Sequence, residues 1–204
     1  GPTHITNPIV DDGNACTTDG CNSITGVFHT PNCGVTLNSK LFIQGYYTGA
    51  GLMDNSGLGG CLYLIGISGA ASTDMDTVFI SAMNETSFVE VDRQWGILQT
   101  NGNVSVTFSA AVTPGFFYYI RVQHRNSIET WSKLPVQFST ITNYDFTTAS
   151  TQAFDDGLNL PMKLVGIGPD KWAIFNGDIS RDGTVDSEDM TKEETDASIG
   201  AFGY

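Results

Sequence analysis

The chain is short of positive charge: 9 lysines and arginines face 22 aspartates and glutamates, for a formal net charge of −13. Nucleic acid and anionic membranes are bound through clustered Lys and Arg, and no such cluster occurs, so neither is an expected partner. No apolar run approaches the roughly eighteen residues of a spanning helix, so membrane insertion is not expected. With only three histidines, and with Gly66-Ile-Ser68-Gly69 falling short of a Gly-x-Ser-x-Gly elbow, groups for catalysis are thin and we expect no enzyme. His124, Arg125 and Glu129 read as a core or turn histidine beside a structural ion pair. What remains is ample for a core, since 40% of residues are hydrophobic, with 12 Phe, 7 Tyr and 3 Trp. No secretory leader is read in these residues and the initial Gly-Pro reads as a cleavage scar, so a piece of a larger multidomain chain is expected, whose own targeting these residues do not bear on.

The most informative stretch is Gly177-Asp-Ile-Ser-Arg-Asp-Gly-Thr-Val-Asp-Ser-Glu-Asp189. Taking Asp178 as the first position of a twelve-residue loop, oxygen ligands recur at Ser180, Asp182, Asp186 and Asp189. The Thr184 carbonyl falls at the seventh position, and Gly183 takes the sharp turn. A hard cation needs six to eight oxygens from a chain that bends around it, and this order offers them without thiol or imidazole. Calcium is the expected cofactor. An acidic surface turn at Asp182-Gly183 is the blander alternative, and it leaves the other acids unexplained.

The loop resembles the first half of a dockerin: a calcium loop with Asp at its last position, followed by one helix. The resemblance implies a helix from Ser187 to about Ser198, with Ser187, Glu188 and Asp189 favourably placed at its N-terminus. A dockerin pairs two such repeats to build its partner face. Only one is present, with Ser180 where Asn or Asp is usual, so the likeness implies calcium and not a cohesin partner.

Residues 9–33 hold three of the four cysteines among turn residues and little apolar material. Such a segment needs cross-links or ions to hold it. Four cysteines allow three pairings. We expect a local Cys16–Cys21 bridge, leaving Cys33–Cys61 to tie the segment to the next domain; four free thiols are the alternative, and zinc has no second nearby His to complete a site. Asp11, Asp12, Asn14 and Asp19 offer oxygens for a second calcium, but we favour Asx turns. The wording Asp-Asp-Gly-Asn-x-Cys-Thr-x-Asp-x-Cys-Asn resembles the short cysteine-rich repeats of extracellular slime-mould and some bacterial proteins. That family commonly has two more cysteines, where this chain has Val10 and Phe28, so its full bridge pattern does not carry over.

Beyond residue 36, β-rich runs recur between turn signals: 37–47, 62–67, 77–83, 88–91, 95–98, 104–109, 116–124, 136–139 and 144–147. With Asn101-Gly102 and Pro114-Gly115 as breakers, this spacing predicts a mainly β fold, an antiparallel β-sandwich ending in the calcium loop and one short helix. Alternation along 116–124 puts Phe116, Tyr118, Ile120, Val122 and His124 on the core face. The expected division is 1–35 cysteine-rich repeat, 36–176 sandwich and 177–204 loop with helix. The stretches Leu41-Phe-Ile-Gln-Gly-Tyr-Tyr47, Tyr118-Tyr-Ile-Arg-Val-Gln-His124 and Asn176-Gly-Asp178 resemble a C-terminal module of large secreted and surface proteins of gliding, polymer-degrading bacteria. This implies secreted or cell-surface placement, not a reaction.

Sugar recognition on a sandwich uses exposed rings against the pyranose face, with amides and charged groups fixing the hydroxyls. Tyr47, Trp95, Tyr119 and Trp131, with Arg125 and Glu129, are the candidate contacts for a polysaccharide or cell-surface glycan. The rival expectation is a structural spacer in a large adhesin, stiffened by calcium and disulfides and binding nothing. An exposed planar row of aromatics would favour the sugar.

Overall fold

The computed structural model describes residues 10–13, 17–31, 34–53, 60–166 and 171–199. It is mainly β. Strands β1 (Thr17–Asn22) and β2 (Gly26–Pro31) form an isolated antiparallel hairpin. Strands β3 (Thr36–Lys40), β4 (Tyr47–Gly49) and β5 (Leu52–Met53) precede a short helix α1 (Cys61–Leu64). The long strands β6 (Asp74–Asn84) and β7 (Glu90–Gln99) follow, then β8 (Asn103–Thr107), β9 (Phe117–His124), β10 (Ser127–Trp131), β11 (Val136–Gln137) and β12 (Ile141–Asp145). After β13 (Lys163–Gly166) and β14 (Lys171–Ala173), helix α2 (Ser187–Ser198) closes the described chain.

Two sheets face each other. One has the order β10-β9-β6-β7, with β11 also paired to β9; the other has the order β12-β3-β8. Alternation buries Val78, Ile80 and Ala82 of β6 and Ile120 and Val122 of β9 against Leu37 of β3 and Val104 and Val106 of β8. Phe42, Phe108, Phe138 and Phe146 fill the ends of this core. Gly96 lets β7 turn closely against β8, since a Cβ there would sit 2.7 Å from a Val104 methyl.

The expected core face of β9 holds for Tyr118, Ile120, Val122 and His124, all buried, but Phe116 lies before the strand and is 62% exposed. Run 62–67 is not a strand. Cys61–Leu64 is helical between Gly60 and the left-handed Gly66, and its short unbroken apolar run carries no alternation to hold a strand. The sandwich is not wholly antiparallel either: β12 runs parallel to β3. A parallel neighbour needs a long crossover, which the whole excursion through the other sheet supplies. Run 37–47 is broken by a 3-10 turn at Gln44–Tyr46, so Tyr46 and Tyr47 do not alternate and both lie half-buried against the core.

Segment 174–177 is stitched to both sides of the sandwich. Ile174 bridges Ile43, Ile128 N–H donates to the Phe175 carbonyl at 3.0 Å, and Gly177 N–H donates to the Asn126 side chain at 2.8 Å. The acidic loop therefore starts from a fixed point beside the β9–β10 turn.

Candidate functional site

Within 178–189 the chain wraps around two buried carboxylates, Asp178 (1% exposed) and Asp189 (3% exposed). Asp178 accepts N–H donors from Arg181 (2.6 Å), Asp182 (3.2 Å) and Gly183 (3.1 Å). Asp189 accepts from Ile179, Ser180 (both 2.8 Å) and Asp186 (2.9 Å). Arg181 and Gly183 take left-handed backbone, which makes the curl possible. Asp182 accepts the Thr184 hydroxyl and N–H, and both pull its carboxyl below the usual range. N–H donors from Ser180 and Asp186 do the same for Asp189. Asp186 accepts from Glu188 N–H at 2.7 Å, capping α2.

All six residues expected to hold the cation lie on this loop, and the donor set is oxygen only. Neither buried carboxylate has an ion pair among the described residues. No three loop acids bring carboxylate oxygens within 4.8 Å of one another; among the described residues that proximity occurs at Asp12, Asp19 and His29. There His29 Nδ1 lies 2.7 Å from Asp19, which raises the imidazole and lowers the carboxylate. Asp11 accepts from Gly13 N–H in an Asx turn, and Asn14 lies outside the described residues. So do Cys16 and Cys33, and with them both expected bridges; Cys21 and Cys61 carry free thiols.

Beside the loop lies a buried polar node. Asp76 Oδ2 receives Arg125 Nη2 (3.0 Å) and the Tyr46 hydroxyl (3.2 Å), while Oδ1 receives Thr77 N–H (2.7 Å). His124 Nε2 lies 3.2 Å from the same carboxylate but out of hydrogen-bonding alignment, and its Nδ1 faces the Ser127 hydroxyl at 2.9 Å. Burial, reinforced by Asp76, pushes the Tyr46 phenol up to about 12. Burial beside Asp76 likewise raises the Cys61 thiol. Ser127, His124 and Asp76 share the residue types of a hydrolytic triad, but the serine is 3% exposed and the contacts tie the β9–β10 turn to β6. Arg125 thus serves the interior more than a ligand.

The outer face of the β10-β9-β6-β7 sheet is different. Cross-strand register aligns Trp95 with Phe79 and Phe79 with Gln123, and aligns Arg93 with Ser81, Ser81 with Arg121, and Arg121 with Trp131. Trp95 is 63% exposed and Phe79 45%. Arg93 lies over the Phe79 ring (5.1 Å) and Arg121 over Trp131 (6.0 Å), with Tyr119 also 6.0 Å from Trp131. Glu129 accepts Trp131 Nε1–H and Gln123 Nε2–H.

At the β7 edge of this face Trp95 lines an open groove of about 860 Å³ together with Asn38, Ser105 and Asn143 of the other sheet. At the other end two clefts, of about 330 and 600 Å³, lie between sheet and loop, and Glu129 and Gly183 line both. Of the expected ligand contacts, the structure gathers Trp95, Tyr119, Glu129 and Trp131 on one face. Tyr47 is elsewhere, packed 5.0 Å from Phe42 with its hydroxyl accepting from Gly51 N–H. Phe79, Arg93 and Arg121 went unnamed in the sequence reading, although the alternation Arg93, Trp95, Ile97 marks an outward strand face.

Residues 9–32 match a family described as a Dictyostelium (slime mold) repeat. No curated protein and no solved structure matches the chain. No helix among the described residues is long and apolar enough to cross a membrane.

Proposed function

We propose that the chain is an extracellular, non-catalytic binding module for polysaccharide, with calcium holding its 178–189 loop. The observation that carries this reading is the outer sheet face. Exposed Trp95 and Phe79 continue through Gln123 and Glu129 to Trp131, and the row starts in a groove lined by asparagines. Rings give apolar surface for pyranose faces, and amides give directional partners for hydroxyls. Steps of about 4.8 Å between strands place Trp95 and Trp131 about 15 Å apart, a span suited to several sugar units.

Calcium is supported by two buried carboxylates that have no cationic partner among the described residues and sit on an all-oxygen loop. Asp178, Ser180, Asp182, the Thr184 carbonyl, Asp186 and Asp189 would hold it, and its charge would offset their repulsion. The dockerin-like spacing supports the same assignment. Secretion or surface display is supported by the match of residues 9–32 to the slime-mould repeat.

A glycan array probed with calcium and again with chelator tests both halves. Binding to one polymer class, abolished by Trp95→Ala, supports the module. No binding, with a chelator-sensitive melting temperature, makes the protein a calcium-stiffened spacer instead.

A further inference from the structure

We propose that the bound polysaccharide is acidic, and that its carboxylate or sulfate groups enter the cleft between the sheet and the loop, which Arg93 and Arg181 line beside the internally paired Arg125. This rests on the polysaccharide-binding reading and narrows its ligand.

The chain has four arginines among its 204 residues, and they are not scattered. Three line the cleft of about 330 Å³, together with Gln123, His124 and Thr77. The fourth, Arg121, stands on the same outer face, two strands from Arg93 with Ser81 of β6 between them. In a protein with net charge −13, this gathers the guanidinium groups beside the aromatic row. Planar guanidinium forks match carboxylate and sulfate oxygens in a way that scattered lysines do not.

Acids also line the cleft, yet they leave Arg93 only a 3.9 Å contact with Glu90 and leave Arg181 with no ion pair among the described residues. Asp76 is fully buried and engaged with Arg125. Glu90 pairs with Arg121 and reaches Arg93 only at 3.9 Å, leaving Arg93 half exposed. Glu129 keeps its charge in the cleft, with its oxygens held by Trp131 and Gln123 and not by an arginine. Asp178 is turned into its loop by three backbone N–H groups. Arg181 has no ion pair among the described residues, although its backbone is pinned to Asp178. Two exposed guanidiniums, Arg93 and Arg181, therefore border one cleft beside the sugar-facing rings. A neutral glycan would leave their charge unused, whereas an acidic one places an anion at a fixed step along the row.

Affinity electrophoresis of the intact chain in calcium, through gels holding a polyuronate, a sulfated galactan or a neutral glucan, tests this. We expect retardation by one or both acidic polymers and not by the glucan, weakening as ionic strength rises. The double variant Arg93→Gln/Arg181→Gln should lose about tenfold in affinity for the acidic polymer, the scale of charge-assisted bonds, with its thermal response to calcium unchanged. Which acidic polymer is retarded tells carboxylate from sulfate. Equal retardation by the glucan, or undiminished binding by the double variant, overturns the acidic assignment while Trp95-dependent binding keeps the wider reading. Retardation by none of the three overturns both.

Discussion

The indole N–H of Trp131 donates to Glu129 Oε1 at 2.6 Å, and the Gln123 amide holds the other carboxylate oxygen at 2.7 Å. This fixes an aromatic ring on a sheet face with a carboxylate that lines both clefts toward the loop. Glu129→Ala removes the brace from Trp131 and Gln123 together. Because the group is exposed, we expect a stability loss under about 1 kcal/mol. Glycan affinity should fall several-fold, since ring placement is lost. Thermal unfolding and a binding isotherm on the same sample separate the two effects.

The loop makes a separate prediction. Asp178→Ala strands the N–H groups of Arg181, Asp182 and Gly183 and removes the first oxygen of the cation set. Unsatisfied donors cost about 1–3 kcal/mol where they stay buried. We expect the wild-type melting temperature to rise with calcium by mass action and fall with chelator, and the variant to lose that response. A wild-type curve identical in calcium and chelator would sink the calcium assignment.

The loop was legible because its information is local: twelve consecutive residues carry spacing, glycine and helix start. The core face of β9 was legible for the same reason, since Tyr118, Ile120 and Val122 alternate. What strand spacing does not encode is which strands become neighbours. Nothing in the sequence places Trp95 beside Asn38 and Asn143, because that depends on β12 lying parallel to β3 after a long crossover. Tyr47 lies away from the face of Trp95 and Trp131 because a 3-10 turn at Gln44–Tyr46 interrupts the alternation of the run 37–47. The run 62–67 failed because short apolar stretches fit helix and strand equally well. The arginine gathering was invisible for a related reason: Arg93, Arg121 and Arg181 come from three separate segments.

The Asp76 node predicts a spectroscopic change. Asp76→Asn leaves the Arg125 guanidinium and His124 facing a neutral amide in a buried setting. The Arg125 side chain is 35% exposed, so the loss should stay below the about 3–5 kcal/mol of a fully buried pair. It also removes the anion that helps hold the Tyr46 phenol near about 12. The Tyr46 titration should move down, though not to the solvent value, because burial remains the larger cause. Carbon-13 tyrosine NMR against pH checks the direction; an unmoved or raised Tyr46 would remove Asp76 from the account.

Asp92 sets the acid limit of one contact in the sandwich. Partial burial pushes its carboxyl upward. Hydrogen bonds from Ser109 N–H (2.6 Å), the Gln94 amide and Arg93 N–H outweigh this and hold it below the ordinary value. A carboxyl depressed in the folded chain contributes stability that is present above its unfolded pKa of about 3.9 and fades as pH falls through the lower folded value. The contribution is below about 1 kcal/mol, because solvent screens a partly exposed carboxylate. Asp92→Asn should therefore melt slightly below wild type at neutral pH. The gap should hold down to about pH 4 and close below it as the wild-type carboxyl protonates. Melting temperatures of both chains across this range provide the check: a gap that persists unchanged into acid would mean that Asp92 contributes through shape and neutral hydrogen bonds, not through its charge.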